Sequence, residues 1–215
     1  MDPDEIRNRR IQYETAGLDV SDVDVDPGQQ WHRWYSEASE AGIAEPHAMT
    51  VGTADTDGVP DARIVLARGV DADGLRFYTN YNSAKSRQLD ANPHAVAVFS
   101  WLALHRQVRV RGRVARVSGD DSDAYFASRP RGSRIGAWAS PQSEVIADRA
   151  ELEALVAATE ERYVDADVPR PPYWGGWLIM VDSWEFWQGR PSRLHDRLQY
   201  VQHPDGGWQR QRLAP

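Results

Sequence analysis

Trp184-Glu185-Phe186-Trp187-Gln188-Gly189, followed after three residues by Arg193-Leu194-His195-Asp196-Arg197, decides how this chain reads. Taken as strand, turn, strand, side-chain alternation puts Arg193, His195 and Arg197 on one face and Leu194, Leu198 and Tyr200 on the other, where they can pack. Two guanidiniums flanking an imidazole make a poor core and a good seat for an anionic, planar ligand. Trp187 on the preceding strand would add an aromatic wall. An isolated Arg-x-His-x-Arg row reads as the solvated face of an ordinary hairpin; the tryptophans before it favour the ligand reading.

Working outward, the chain alternates like a sheet protein. Gln107-Val108-Arg109-Val110-Arg111-Gly112-Arg113-Val114 has valines on one side and arginines on the other. Met49–Ala54 and Ala62–Arg68 flank Asp55-Thr56-Asp57-Gly58, and Asp71-Ala72-Asp73-Gly74 precedes Leu75–Thr79. Asp-Gly turns between apolar runs are hairpin signals. Ala95–Phe99 is a further strand, and Pro204-Asp205-Gly206-Gly207 marks a turn near the end. Helices are predicted over Gln29–Ala41, from a Ser83 cap to Leu89, over Asp120–Ser128, and over Arg149–Val164 with Leu152, Leu155 and Val156 on one side. Pro169–Pro172 ends the last of these. Trp31, Trp34 and Tyr35 at helical spacing read as core. The architecture expected is mainly β, α+β in class, with an antiparallel sheet or barrel and flanking helices.

The 215 residues fit one domain with a substantial core. Net charge is −7, which disfavours wholesale nucleic-acid binding. Arginine crowds the middle and the end, so a locally basic pocket points to a small anion. No cysteine is present, which excludes disulfides, thiolate nucleophiles and Cys-based metal sites. Of 25 basic residues only Lys85 is lysine. Residues 1–27 are charged and poor in apolar side chains, and read as a solvated or disordered arm before one domain over 28–215. Arg7, Arg9 and Arg10 would sit on a short helix there. Asp22, Asp24 and Asp26 lack the loop glycine and distal glutamate of a calcium site. The polar N-terminus and the short apolar run Trp177–Val181 predict a cytoplasmic chain with no membrane span.

Two further clusters suit anions. Arg63 and Arg68 lie on one predicted strand, Tyr78 and Thr79 on another, and Lys85 in the first turn of the Ser83 helix. That turn offers free N–H groups and positive dipole character to a phosphate. Tyr125 and Arg129, four apart on a helix, would be joined by Ser133 from the basic loop Arg129–Arg134, with Gln142-Ser143 beyond. Alone, the first cluster reads equally as a capped helix with surface cations, and the second reads better as a helix C-terminus decorated with arginine. No His-Glu-x-x-His, nucleophile elbow, Walker loop or dinucleotide glycine motif is present, and no metal is expected.

From about Arg10 to Arg212-Leu213-Ala214-Pro215 the chain resembles the pyridoxine (pyridoxamine) 5'-phosphate oxidases. Glu-Phe-Trp-Gln followed by Arg-Leu-His-Asp-Arg carries most of the likeness. The resemblance implies a split β-barrel homodimer with FMN across the subunit interface. The family oxidises pyridoxine or pyridoxamine 5'-phosphate to pyridoxal 5'-phosphate and reduces O2 to hydrogen peroxide. By matching motifs, Arg63, Tyr78, Thr79, Lys85, Gln107, Gln142, Ser143, Trp187 and Arg197 would bind FMN. Arg68, Tyr125, Arg129 and Ser133 would hold the substrate phosphate. Arg193 and His195 would lie over the pyridine ring as the catalytic pair, and Arg10 and Tyr13 would help cover the site. Arg68 stands where the family commonly has lysine, and Ala84 where it often has arginine. These departures bear on substrate pose and flavin affinity. Two alternatives are a split-barrel enzyme using FMN or a deazaflavin on another substrate, and a non-catalytic flavin or pyridoxal phosphate binder.

Overall fold

The computed structural model describes Tyr13, Thr15 and residues 17–215; Arg7, Arg9 and Arg10 lie outside the described residues. Nine strands form one sheet: β1 Ala48–Ala54, β2 Pro60–Leu66, β3 Gly69–Asp71, β4 Gly74–Asn80, β5 His94–Trp101, β6 Arg106–Arg116, β7 Trp174–Gln188, β8 Asp196–Gln202 and β9 Trp208–Leu213. Their order is β2-β1-β5-β6-β7-β4-β3, with β8 beside β7 and β9 beside β8. The pairs β1–β2, β3–β4, β4–β7, β7–β8 and β8–β9 are antiparallel. Among the described residues five α-helices accompany them: α1 Pro27–Glu40, α2 Ala84–Ala91, α3 Gly119–Ser128, α4 Arg131–Ala139 and α5 Arg149–Arg162. The antiparallel, helix-flanked class expected from the sequence is the one found. No described helix is long and apolar enough to cross a membrane.

The chain clusters into two compact units. One holds residues up to His47 with Val98–Val110 and Asp182–Pro215; the other holds Ala48–Ala97 and Arg111–Val181. In the first, α1 lays Trp34 edge-on to Phe186 with ring centroids 5.3 Å apart, and Trp31 against Phe99 at 5.3 Å. Arg106 stacks over Trp34 at 4.5 Å, donates 2.9 Å to Gln188 and pairs with Glu37. The N-terminal aspartates work as caps. Asp26 accepts from the N–H groups of Gly28 and Gln29 at the start of α1, and Asp22 completes a capping box with Asp19.

In the second unit Val51, Leu75, Phe77 and Ile179 are fully buried. On β6 Val108, Val110 and Val114 are buried while Arg109, Arg111 and Arg113 are exposed, as the alternation predicts. Gly112 faces a backbone: a Cβ there would lie 1.9 Å from the Met180 carbonyl oxygen. Ile135, Tyr163 and Val168 form a small core with Trp138 and Val156 beneath α4 and α5. Only Leu152 and Val156 of the expected α5 face are partly covered, and Leu155 is exposed.

Three expectations are corrected. Arg193 is not on a strand: Pro191–Arg193 form a 3-10 turn and β8 starts at Asp196. Arg193, His195 and Arg197 therefore do not share a strand face, and Leu194 is 69% exposed rather than packed. Proline 191 and the left-handed Ser192 and Arg193 break the alternation. Arg129–Arg134 is not a loop, because α4 starts at Arg131 and places Ser133 in its first turn. Ser83 holds the N-cap position of α2 without a side-chain cap; its hydroxyl donates to the Asn80 carbonyl at 2.7 Å.

Candidate active site

In the second unit a cavity of about 500 Å³ gathers Arg63 from β2, Arg68 just beyond it, Tyr78 and Thr79 from β4 and Lys85 from α2. It also gathers Tyr125 from α3, Arg129 at that helix's C-cap, Ser133 from α4, Gln142, and Trp174 at the start of β7. Nine residues that the sequence singled out thus meet in one place. Four of the lining side chains are cationic and none is a carboxylate.

Local packing aims each of these groups. Arg63 donates to Thr53 Oγ1 at 2.7 Å, Asp61 Oδ2 at 2.5 Å and Gln88 Oε1 at 3.2 Å. Lys85 donates to Gln142 Oε1 at 2.8 Å, Thr79 Oγ1 at 3.1 Å and Ser83 Oγ at 3.3 Å. These acceptors are all neutral. Burial, helped by the Arg63 charge, lowers the Lys85 pKa to about 8. Tyr78 stacks on Tyr125 at 4.0 Å, and Trp174 lies nearly parallel to both. Arg129 rests on the Trp174 face at 4.6 Å, while its buried Nη1 has no hydrogen-bond partner. Burial, with Arg68 adding to it, lowers the Arg129 pKa. An unpaired guanidinium nitrogen in a cationic cavity is what an incoming anion would satisfy.

Trp187, Arg193, His195, Arg197 and Tyr13 belong to the first unit. Trp187 lies 4.6 Å from the His195 ring, and Tyr13 stacks near His105 at 4.1 Å and His195 at 5.9 Å. His195 Nδ1 accepts from the Arg190 N–H at 3.1 Å, which leaves its proton on Nε2. Burial first and Arg193 second lower its pKa. Ser192 and Arg193 both adopt positive φ, 55° and 63°, a strain of the kind that clusters at functional sites. Arg197 grips the buried Glu185 with two bonds, 3.0 and 3.1 Å, and Arg109 reaches the same carboxylate.

Gln107 is half-buried on β6, and Ser143 is exposed at φ 72° outside the cavity lining. Sequence reasoning missed Trp174 and Glu185 as site-shaping residues. Trp174 reads as one more strand aromatic ahead of Gly175-Gly176, and a buried glutamate is visible only with its two arginines in place.

Two family models match the chain: pyridoxamine 5'-phosphate oxidase over residues 35–163, and the pyridoxine 5'-phosphate oxidase C-terminal dimerisation region over 174–215. A pyridoxine/pyridoxamine 5'-phosphate oxidase of Ralstonia nicotianae is 55% identical over 210 residues, 98% of this chain and 99% of that one. One from Synechocystis is 51% identical over the full length of both. Among solved structures, PhzG from Burkholderia lata, in complex with tetrahydrophenazine-1-carboxylic acid, superposes with a TM-score of 0.87. It is 27% identical and covers 94% of this chain and 98% of its own. A pyridoxamine 5'-phosphate oxidase-related, FMN-binding protein of Nostoc punctiforme shares the fold at a TM-score of 0.71 and 18% identity, covering 90% of this chain and 100% of its own. The fold and these matches together define a split-barrel oxidoreductase. Within that class the chain belongs to the pyridoxamine 5'-phosphate oxidase family.

Proposed function

We propose that the protein oxidises pyridoxine or pyridoxamine 5'-phosphate to pyridoxal 5'-phosphate with FMN as cofactor and O2 as electron acceptor. The carrying observation is the carboxylate-free cavity with four cations and one unpaired guanidinium nitrogen. Those residues suit two phosphate esters and a flat ring. When bound, FMN would take two electrons from the substrate carbon and return them to O2 as hydrogen peroxide.

The chain's own residues would do the holding. Arg63, Thr79, Lys85 and Gln142, with Tyr78, Gln107, Ser143, Trp187 and Arg197, would hold the flavin. Arg68, Tyr125, Arg129 and Ser133 would grip the substrate phosphate, each charged hydrogen bond contributing about 1.5–3 kcal/mol. Arg193 and His195 would orient the substrate ring, with neutral His195 holding its proton at Nε2. Tyr13 would help close the site, and Arg10 is part of the same proposal. Placing both rings at reacting distance would be the main source of rate. The proposal includes a homodimer, supported by the dimerisation-region match, and a cytoplasmic location.

The likeness to PhzG supports a second reading, oxidation of a tricyclic aromatic acid. One assay separates the two. FMN-loaded protein should release peroxide with both B6 phosphates and far less with unphosphorylated pyridoxine. Equal rates with and without the phosphate, or turnover of a tetrahydrophenazine carboxylate alone, would overturn the first reading.

A further inference from the structure

Lys85 is the one lysine of the chain, and its setting is that of a reactive amine. It is buried, it lines the cavity, and every hydrogen-bond partner of its Nζ is neutral: Gln142, Thr79 and Ser83. A structural lysine is ordinarily exposed or paired with a carboxylate. Asp61, the acid that acts on its charge, is itself held 2.5 Å from Arg63. The same cavity carries Arg68 and Arg129 for an anionic ester and the parallel rings of Tyr78, Tyr125 and Trp174 for a flat ligand.

We propose that, in chains lacking FMN, Lys85 is a covalent capture site for a phosphorylated aromatic aldehyde. The unprotonated Nζ adds its lone pair to the aldehyde carbon and forms the new C–N bond. The carbonyl oxygen takes up protons and departs as water while the nitrogen loses its remaining protons. A C=N imine is left, with no net oxidation or reduction. The depressed Lys85 pKa, about 8 against 10.5 for a free lysine, raises the unprotonated fraction at pH 8 on the order of 100-fold. Lower basicity returns part of that gain, leaving an expected advantage of about tenfold in rate.

The choice of ligand rests on the proposed function, because pyridoxal 5'-phosphate is the aldehyde that reaction would release. Capture would place the product's carbon skeleton on a residue proposed to contact the cofactor, so a captured chain should load FMN slowly. Product accumulation would then act on empty chains rather than on loaded ones.

The test uses FMN-free full-length protein, stoichiometric pyridoxal 5'-phosphate, borohydride trapping and peptide mass mapping. One phosphopyridoxyl group is expected on the Lys85 peptide, formed about tenfold faster than in the same chain unfolded in urea. Prior loading with FMN should suppress it, and Lys85→Arg should abolish it while circular dichroism shows the variant folded. Labelling confined to the N-terminal amine would overturn the proposal. So would a Lys85 rate equal to the unfolded chain's, or labelling that FMN leaves untouched. Because the readout is a mass on cofactor-free protein, failure here is separable from failure of the oxidase reading, which peroxide release tests.

Discussion

Arg129 carries the sharpest residue-scale expectation. Its position over Trp174 fixes the guanidinium, yet Nη1 has nothing to bond. Arg129→Gln should forfeit about 1.5–3 kcal/mol of charged hydrogen bonding to a phosphate. At about 1.4 kcal/mol per decade, KM for the phosphorylated substrate should rise roughly 10–100-fold. Steady-state kinetics with phosphorylated and unphosphorylated substrate checks this, and an equal effect on both would contradict it. His195 gives a pH-dependent expectation. Its pKa is lowered in the fold by burial and by Arg193. The native state therefore favours the neutral ring, and this contribution is fully present above the ordinary histidine value near 6.5. It fades as pH falls through the lower folded value. Urea midpoints from pH 7 downward should fall less steeply in His195→Gln than in the parent, and parallel curves would contradict this. The cavity residues were legible in sequence because cations, hydroxyls and amides clustered at strand and helix ends form a set of donors suited to an anion. Trp174 and Glu185 were not, since an aromatic wall or a buried acid shows its meaning only through neighbours distant in sequence.

At the scale of elements, the sheet was legible wherever alternation or an Asp-Gly turn marked it. The β1–β2 hairpin and the valine–arginine alternation of β6 came out as read. The Asp71–Gly74 turn does close a hairpin onto β4, but its first arm is the separate short strand β3 rather than the Ala62–Arg68 run. What failed were places where one residue overrides a pattern. Pro191 and two left-handed residues turn the Arg193 segment out of the strand, and Pro130 opens α4 earlier than the basic composition implies. Gly112 shows the same rule inside a strand. An added methyl would meet the Met180 carbonyl oxygen at 1.9 Å and its carbon at 2.7 Å, backbone atoms with little freedom to move. Gly112→Ala should cost about 3 kcal/mol. That lowers Tm by roughly 6–12 °C at about 2–4 °C per kcal/mol. Thermal unfolding by circular dichroism measures it, and an unchanged Tm would contradict the packing.

For the whole molecule, β2 ends the strand order and leaves Ile64 72% exposed, with Val59 just before the strand 59% exposed. An exposed Ile64 on an edge strand invites cover, and the C-terminal segment matches a dimerisation region. Sedimentation equilibrium should give twice the 24.3 kDa of one chain, and a monomer at micromolar concentration would contradict the proposed shared site. The central claim, a cavity that brings a flavin and a B6 phosphate to reacting distance, is tested most directly without oxygen. Pyridoxamine 5'-phosphate added anaerobically to FMN-loaded protein should bleach the yellow absorbance and yield one pyridoxal 5'-phosphate per flavin, with colour returning when air is admitted. A yellow solution that keeps its colour under saturating substrate would contradict the account.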